Sequence, residues 1–121
     1  MGQSGFANIS FDSQGNPVSV NNAFVEVCSC FSGPPCTAGM KKFDCKLGSN
    51  GLKGTGFDDL NNSASTSWLV TKSPVTPGEE FILRWAVYDS GDGILDTTTL
   101  IDHWQWIATA GIIVGTTPVP K

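Results

Sequence analysis

Four aspartates lie close together in the last third of the chain, and three of them belong to one glycine-bearing loop. Asp89, Asp92 and Asp96 fall within the sequence DSGDGILD, and Asp102 follows shortly after. Hard cations such as calcium take several oxygen ligands from loops of this kind, although the spacing is not that of an EF-hand. Asp-Gly turns are also an ordinary way to reverse a strand. A calcium site formed by these four residues, here called the acidic-loop aspartates, and a hydrogen-bonded turn therefore both stay open.

Four cysteines form a second group with chemistry of its own. Cys28, Cys30, Cys36 and Cys45 permit three disulfide pairings, and a zinc-thiolate site is the alternative. Their spacing does not match common zinc ribbons. Cys28 and Cys30 are too close on an extended strand to bond each other comfortably, so we favour Cys30–Cys36 and Cys28–Cys45. Disulfides predict an extracellular or cell-surface location.

The aromatic residues could form a sugar-binding platform. Trp68 and Tyr88 are the candidates for exposed aromatics that stack on sugar rings. Trp85, Trp104 and Trp106 fall on apolar faces, and we expect them in the core.

No residue pattern indicates catalysis. His103 is the only histidine, the GxSxG motif of serine hydrolases is absent, and no spacing marks a pair of glycosidase carboxylates. Without a nucleophile–base pair or a catalytic metal triad, the sequence predicts a protein that is not an enzyme.

The elements that carry these residues are predicted to be strands. The chain has 121 residues, 14 glycines, 7 prolines and only 15% charged residues, which suits one all-β, turn-rich domain. The net charge of −4 comes without a basic cluster, which argues against nucleic acid as a partner. No apolar run approaches the roughly 20 residues of a membrane-spanning helix.

The segment 81–107 organises the predicted sheet. Two alternating apolar runs, FILRWAVYD and TTTLIDHWQWI, flank the acidic loop and predict two paired strands. By alternation Asp102 shares a face with Trp104 and Trp106, where a carboxylate requires a partner such as a turn amide or Arg84. Pro77-Gly78 fits the centre of a type II turn.

The remaining chain is predicted to be strands joined by loops. An earlier hairpin is expected from FANISF and the run 18–27 around the turn DSQGNP. The cysteine loop 28–45 is expected to be irregular and exposed, and the glycine-rich stretch 47–56 to be a flexible loop. Residues 1–110 then form a β-sandwich domain, and residues 111–121 form an edge strand or a linker tail.

The run from Gly54 to Trp106 resembles a known family. It is similar to the C-terminal part of the choice-of-anchor L domain, a bacterial secreted or surface module. The motifs that carry the resemblance are GTGFDD, the strand around Trp68, Pro77-Gly78-Glu79, the LRWA strand, DSGDGILD and LIDHW. The stretch NISFDSQGNPVSVNNAFVEVC is similar to the same family. The resemblance implies a jelly-roll-like antiparallel β-sandwich used for adhesion or assembly.

The resemblance also implies an incomplete sandwich. The family domain carries further strands before FANISF, and about six strands are few for a closed sandwich. We therefore expect a fragment, a split half or a subunit completed by another polypeptide. The predicted function is a non-enzymatic surface module for adhesion or assembly, with a protein partner or self-assembly into a complex or filament. The alternative is a carbohydrate-binding module that uses Trp68 and Tyr88.

Overall fold

The computed structural model describes residues 7–19, 24–38, 40–58, 63–88 and 96–119. Its regular elements are short. They are β1 (Val25–Ser29), β2 (Cys36–Ala38), β3 (Lys41–Phe43), a 3-10 turn (Asn50–Leu52), β4 (Ser63–Thr66), β5 (Leu69–Lys72) and β6 (Gly115–Pro118).

The strands pair into three two-stranded antiparallel sheets, β1 with β4, β2 with β3, and β5 with β6. A register shift between Val25 and Val27 interrupts the first sheet, while β5 and β6 pair regularly from Leu69 with Pro118 to Lys72 with Gly115. The expectation of an all-β protein is thus confirmed at the level of small antiparallel sheets. The finer expectation of a jelly-roll sandwich stays a prediction.

The chain divides into two units. The first, here called the disulfide unit, comprises Met1–Ser73 and Ile113–Lys121, and the second, here called the arm, is Pro74–Ile112. All six strands belong to the disulfide unit. In the part of the chain that the structure describes, no helix has the length and apolar character needed to cross a membrane.

Two disulfide bonds form the centre of the core of the disulfide unit. Cys28 bonds Cys45 and Cys30 bonds Cys36, with Cα–Cα distances of 5.5 and 6.0 Å. All four cysteines are buried, and Val25, Phe43 and Ala64 pack against them. The pairing is the one favoured from the sequence. The expectation of an irregular loop is wrong, because its chain forms the β2–β3 hairpin, and its cysteines are buried. Most of its other described residues are exposed, as expected.

The glycine-rich stretch also contributes to this core. Leu52 is buried at the end of the 3-10 turn. Its backbone N–H donates a hydrogen bond of 3.0 Å to the Ser49 carbonyl oxygen. A Cβ at Gly51 would lie 3.3 Å from Cγ1 of Val27, so the turn approaches β1 closely. The stretch 47–56 is thus a turn-rich loop with one buried side chain, Leu52, and its flexibility stays a prediction.

A tight turn organises the described N-terminal residues. The Asp12 carboxylate accepts hydrogen bonds from the backbone N–H groups of Gln14 and Asn16 and from the Asn16 side-chain amide. Gly15 adopts a φ of 83°, a conformation that glycine enters without strain. Phe11 pairs with Pro17 across the turn as an isolated bridge. The predicted turn is confirmed, whereas the described residues of its flanking strands form only this one bridge.

The arm does not form the predicted pair of strands in its described residues. Its described residues, 74–88 and 96–112, contain no strand. The turn at Pro77-Gly78 is confirmed, because Gly78 has a φ of 82° and the Glu79 N–H donates to the Thr76 carbonyl oxygen. His103 has a φ of 65°, so the second run is broken at the residue before Trp104. The two predicted strands are absent because a strand needs a hydrogen-bonded neighbour, which periodicity alone does not supply.

The prediction of a tryptophan core is also wrong. Trp85, Trp104 and Trp106 are 58%, 57% and 70% exposed. Alternation along the chain showed which side chains share a face, but not whether anything covers that face.

Candidate interaction surface on the arm

The arm carries most of the exposed large apolar side chains that the structure describes. Five are aromatic and six are aliphatic. They are Phe81, Trp85, Tyr88, Trp104 and Trp106, and Val75, Ile82, Val87, Leu100, Ile101 and Ile107. With about half of roughly 200 Å² exposed on each aromatic residue, the five aromatics together expose on the order of 500 Å². Ring contacts join three of them, Phe81, Trp104 and Trp106, into one exposed cluster, and exposed apolar clusters often mark binding regions.

The rings of the arm pack against one another. The ring centroids of Phe81 and Trp106 lie 6.0 Å apart with an interplanar angle of 76°, and those of Trp104 and Trp106 lie 5.5 Å apart at 81°. Both are edge-to-face arrangements, which aromatic pairs favour. Trp104 and Trp106 therefore lie on the same side of the chain, and Phe81 joins them from the first run.

This ring contact has the register of a hairpin. In the β5–β6 pair residue n faces residue 187 − n, as Lys72 faces Gly115. Phe81 and Trp106 obey the same relation and lie in contact within the arm. The two runs thus meet at this ring contact without the backbone hydrogen bonds that would make them paired strands.

The arm and the disulfide unit differ in formal charge. The arm holds six carboxylates and one arginine, a formal charge of −5. The disulfide unit holds five carboxylates and six lysines, a formal charge of +1. The arm is therefore both apolar and acidic, and two arms would repel each other at low ionic strength.

Three of the six lysines of the disulfide unit line one open cleft of about 510 Å³. Lys41, Lys42 and Lys46, here called the lysine face, are all exposed at this cleft. Val25 and Phe43, which are half-buried, also line it. Three carboxylates, Asp12, Glu26 and Asp44, also line the cleft.

The Asp12 carboxylate has a perturbed acidity. The hydrogen bond from the Asn16 side-chain amide is the largest cause that lowers the pKa of Asp12 below its usual value of 3.8, and the backbone N–H groups of Asn16, Gln14 and Gly15 lower it further. Because Asp12 is tied into its own turn, it is a structural carboxylate of the cleft.

The structure describes only two of the four acidic-loop aspartates. Asp89 and Asp92 lie outside the described residues, and Asp96 and Asp102 are exposed. The inward, buried position expected for Asp102 is wrong, because its Oδ1 accepts a hydrogen bond of 2.7 Å from the His103 N–H at an exposed site. Binding of calcium by the acidic loop stays a prediction.

The two predicted sugar-stacking residues are both exposed, but in different units. Trp68 is 60% exposed between β4 and β5, and its carbonyl oxygen accepts a hydrogen bond from the Val119 N–H. Tyr88 is 50% exposed at the end of the described first run of the arm. Neither residue is part of a described pocket of enclosing polar groups.

The cysteines are the only close group of metal-ligand residue types in the part of the chain that the structure describes. The Sγ atoms of Cys28, Cys36 and Cys45 all lie within 4.8 Å of one another. All four cysteines are in disulfides, so no thiolate is present to bind zinc.

Comparisons of this chain with protein-family models, with curated proteins and with solved structures find no match. The resemblance to the choice-of-anchor L domain therefore stays a hypothesis that rests on the motifs quoted above.

Sequence reasoning overlooked the lysine face. Its signal is visible in the sequence, where three of the seven basic residues lie between positions 41 and 46. The cleft itself could not be predicted from the sequence, because the Cys28–Cys45 disulfide brings the chain around Cys45 to β1, whose first residue is Val25.

Proposed function

We propose that this protein is a non-enzymatic extracellular or cell-surface module for adhesion or assembly, and that another polypeptide covers its arm. The observation that carries the proposal is the exposed apolar surface of the arm, with three tryptophans each more than half exposed. Exposed clusters of large apolar side chains on a protein surface often mark protein interaction sites. Tryptophan and tyrosine are also the residues that contribute most to binding energy at interfaces.

Two further observations support the location and the class. The paired cysteines fit an oxidising compartment outside the cytoplasm. In the described residues His103 and Asp102 are exposed and joined only through a backbone N–H, an arrangement that offers no general base aimed at a nucleophile.

Tryptophan fluorescence tests whether the arm is open in the isolated chain. The variant Trp68→Phe retains only the three tryptophans of the arm. At concentrations where the chain is monomeric, we expect emission typical of solvated indole and strong quenching by acrylamide. The matched variant with Phe at positions 85, 104 and 106 retains Trp68 and reports on the disulfide unit. Blue-shifted emission that resists quenching in the monomeric Trp68→Phe variant would overturn the proposal, because the arm would then be packed within its own chain.

Carbohydrate binding is the second candidate, and the exposure of Trp68 favours it. A flat, exposed indole can stack on the apolar face of a sugar ring. A glycan array tests this candidate with the full chain and with Trp68→Ala. Binding that disappears in the variant supports it, and an array without hits rejects it.

A further inference from the structure

The register of β5 and β6 indicates how the two runs of the arm would pair. Residue n of β5 faces residue 187 − n of β6. Just outside these strands the Val119 N–H donates to the Trp68 carbonyl oxygen at 2.9 Å, which is the same relation. Within the arm Phe81 and Trp106 also obey it, and their rings are in contact. One register therefore describes both the existing ladder and the ring contact.

This register brings the alternating apolar residues of both runs to one face. Residues that are directly opposite each other in an antiparallel pair lie on the same face of the sheet. A shift by one residue would place the two alternating sets on opposite faces. In the register 187 − n the shared face holds Phe81, Leu83, Trp85 and Val87 from the first run and Leu100, Asp102, Trp104 and Trp106 from the second.

The phase of the ladder indicates which backbone groups would bond. In an antiparallel pair of strands, hydrogen-bonded residue pairs alternate with non-hydrogen-bonded pairs, whose side chains lie closer together. Trp68 and Val119 form a hydrogen-bonded pair, so the even-numbered residues of the first strand belong to pairs of that kind. In the same phase Phe81 belongs to a non-hydrogen-bonded pair, in agreement with its ring contact. Arg84 and His103 would form a hydrogen-bonded pair.

In the structure the backbone N–H of His103 is bonded within its own run instead. It donates to Oδ1 of Asp102 at 2.7 Å, and His103 has a φ of 65°. Local hydrogen bonds from a side chain to the backbone compete with sheet ladders. A residue with a positive φ also turns the chain away from the extended conformation of a strand. The Asp102 carboxylate thus occupies the donor that the register assigns to the carbonyl oxygen of Arg84.

We propose that Asp102 and His103, here called the latch, hold the arm unpaired. Without the latch, residues 81–88 and 100–107 form an antiparallel hairpin in which residue n faces residue 187 − n. The arm then has two conformations, and the backbone of His103 selects between them. Pairing of the runs gathers their alternating apolar side chains on one face but does not cover that face. The inference therefore goes beyond the proposed function and does not depend on which polypeptide covers the arm.

Nuclear magnetic resonance of the isotope-labelled full chain tests the proposal. In a non-hydrogen-bonded antiparallel pair the Cα atoms lie about 4.5 Å apart, so the Hα atoms of the facing residues give a strong nuclear Overhauser effect. The diagnostic contacts are those of Leu83 with Trp104 and of Val87 with Leu100. We expect both to be weak in the wild-type chain and to become strong when the latch is removed.

Substitutions in the latch should change the ratio of paired to unpaired arm in opposite directions. Asp102→Ala removes the acceptor and should raise the ratio about fivefold, whereas Asp102→Asn keeps an oxygen acceptor and should change it little. His103→Val should raise the ratio about tenfold, because a β-branched residue rarely adopts a positive φ. His103→Gly should lower the ratio, since glycine adopts a positive φ without strain.

Three results would overturn the proposal. The first is a set of latch variants whose two runs show no contacts or contacts in another register. The second is an Asp102→Asn arm as fully paired as that of Asp102→Ala, because the oxygen acceptor would then not be what holds His103. The third is a wild-type arm that already shows both diagnostic contacts at full strength. Both latch residues are exposed, so the amide signals of β1 should stay unchanged in every variant and show that the disulfide unit is folded.

Discussion

The two disulfides should contribute unequally to stability, because they close loops of different length. Cys28 and Cys45 are separated by 17 residues, and Cys30 and Cys36 by 6. Both bonds lie in the same buried cluster, so replacing either pair by alanine removes two sulfur atoms from the same core. The comparison of the two double variants therefore isolates loop closure.

The magnitude follows from the chain entropy of the unfolded state. Closing loops of these lengths contributes about 3 kcal/mol for Cys28–Cys45 and about 2 kcal/mol for Cys30–Cys36. All four cysteines are between 1% and 6% exposed, so the loss of packing is similar in the two variants.

Urea denaturation followed by far-UV circular dichroism measures both costs. With a denaturant slope of about 1.5 kcal/mol per molar, Cys28→Ala/Cys45→Ala should lower the midpoint by about 2 M and Cys30→Ala/Cys36→Ala by about 1.5 M or less. Trp104→Ser, on the exposed arm, serves as a control and should change the unfolding free energy by less than about 0.5 kcal/mol. A larger loss for the shorter loop would refute the reasoning.

Three further predictions concern the turn and the acidic loop. Gly15→Ala should destabilise the disulfide unit by about 1 kcal/mol, because Gly15 has a φ of 83°. Gly115→Ala, where an added Cβ would have no atom within contact distance, should leave the unfolding free energy unchanged in the same urea denaturation. The pKa of Asp12 is lowered in the folded state, so the ionised carboxylate should stabilise the fold fully above its usual pKa of 3.8, and this contribution should disappear as the pH falls through the lowered pKa. Asp12→Asn should therefore remove this part of the acid dependence of the melting temperature. An unchanged dependence on pH in the variant would contradict the role given to Asp12. If calcium binds the acidic-loop aspartates, EDTA should lower the melting temperature and added calcium restore it, and identical melts would reject the site.

Local chemistry made some features predictable. The closeness of Cys28 and Cys30 argues against one of the three disulfide pairings, and the structure contains the one of the remaining two that we favoured from the sequence. The turns around Asp12 and Gly78 followed from residues that favour them individually. In each case the information lies within a few consecutive residues.

Features that depend on distant partners could not be predicted in this way. Alternation grouped Phe81, Trp104 and Trp106 on shared faces, and their ring contacts agree with that grouping. Whether those faces are covered depends on a surface elsewhere in the chain or on another molecule, and they are exposed. The burial of Leu52 had the same origin, because the turn that carries Leu52 approaches Val27, which belongs to a strand that is distant in sequence.

Amide hydrogen exchange of the full chain, measured across a range of protein concentrations, tests most directly whether a second polypeptide covers the arm. At low concentration the backbone N–H groups of residues 81–88 and 104–107 should exchange rapidly, while those of β1 in the disulfide core are protected. Protection of the arm that is strong and independent of concentration would contradict this account.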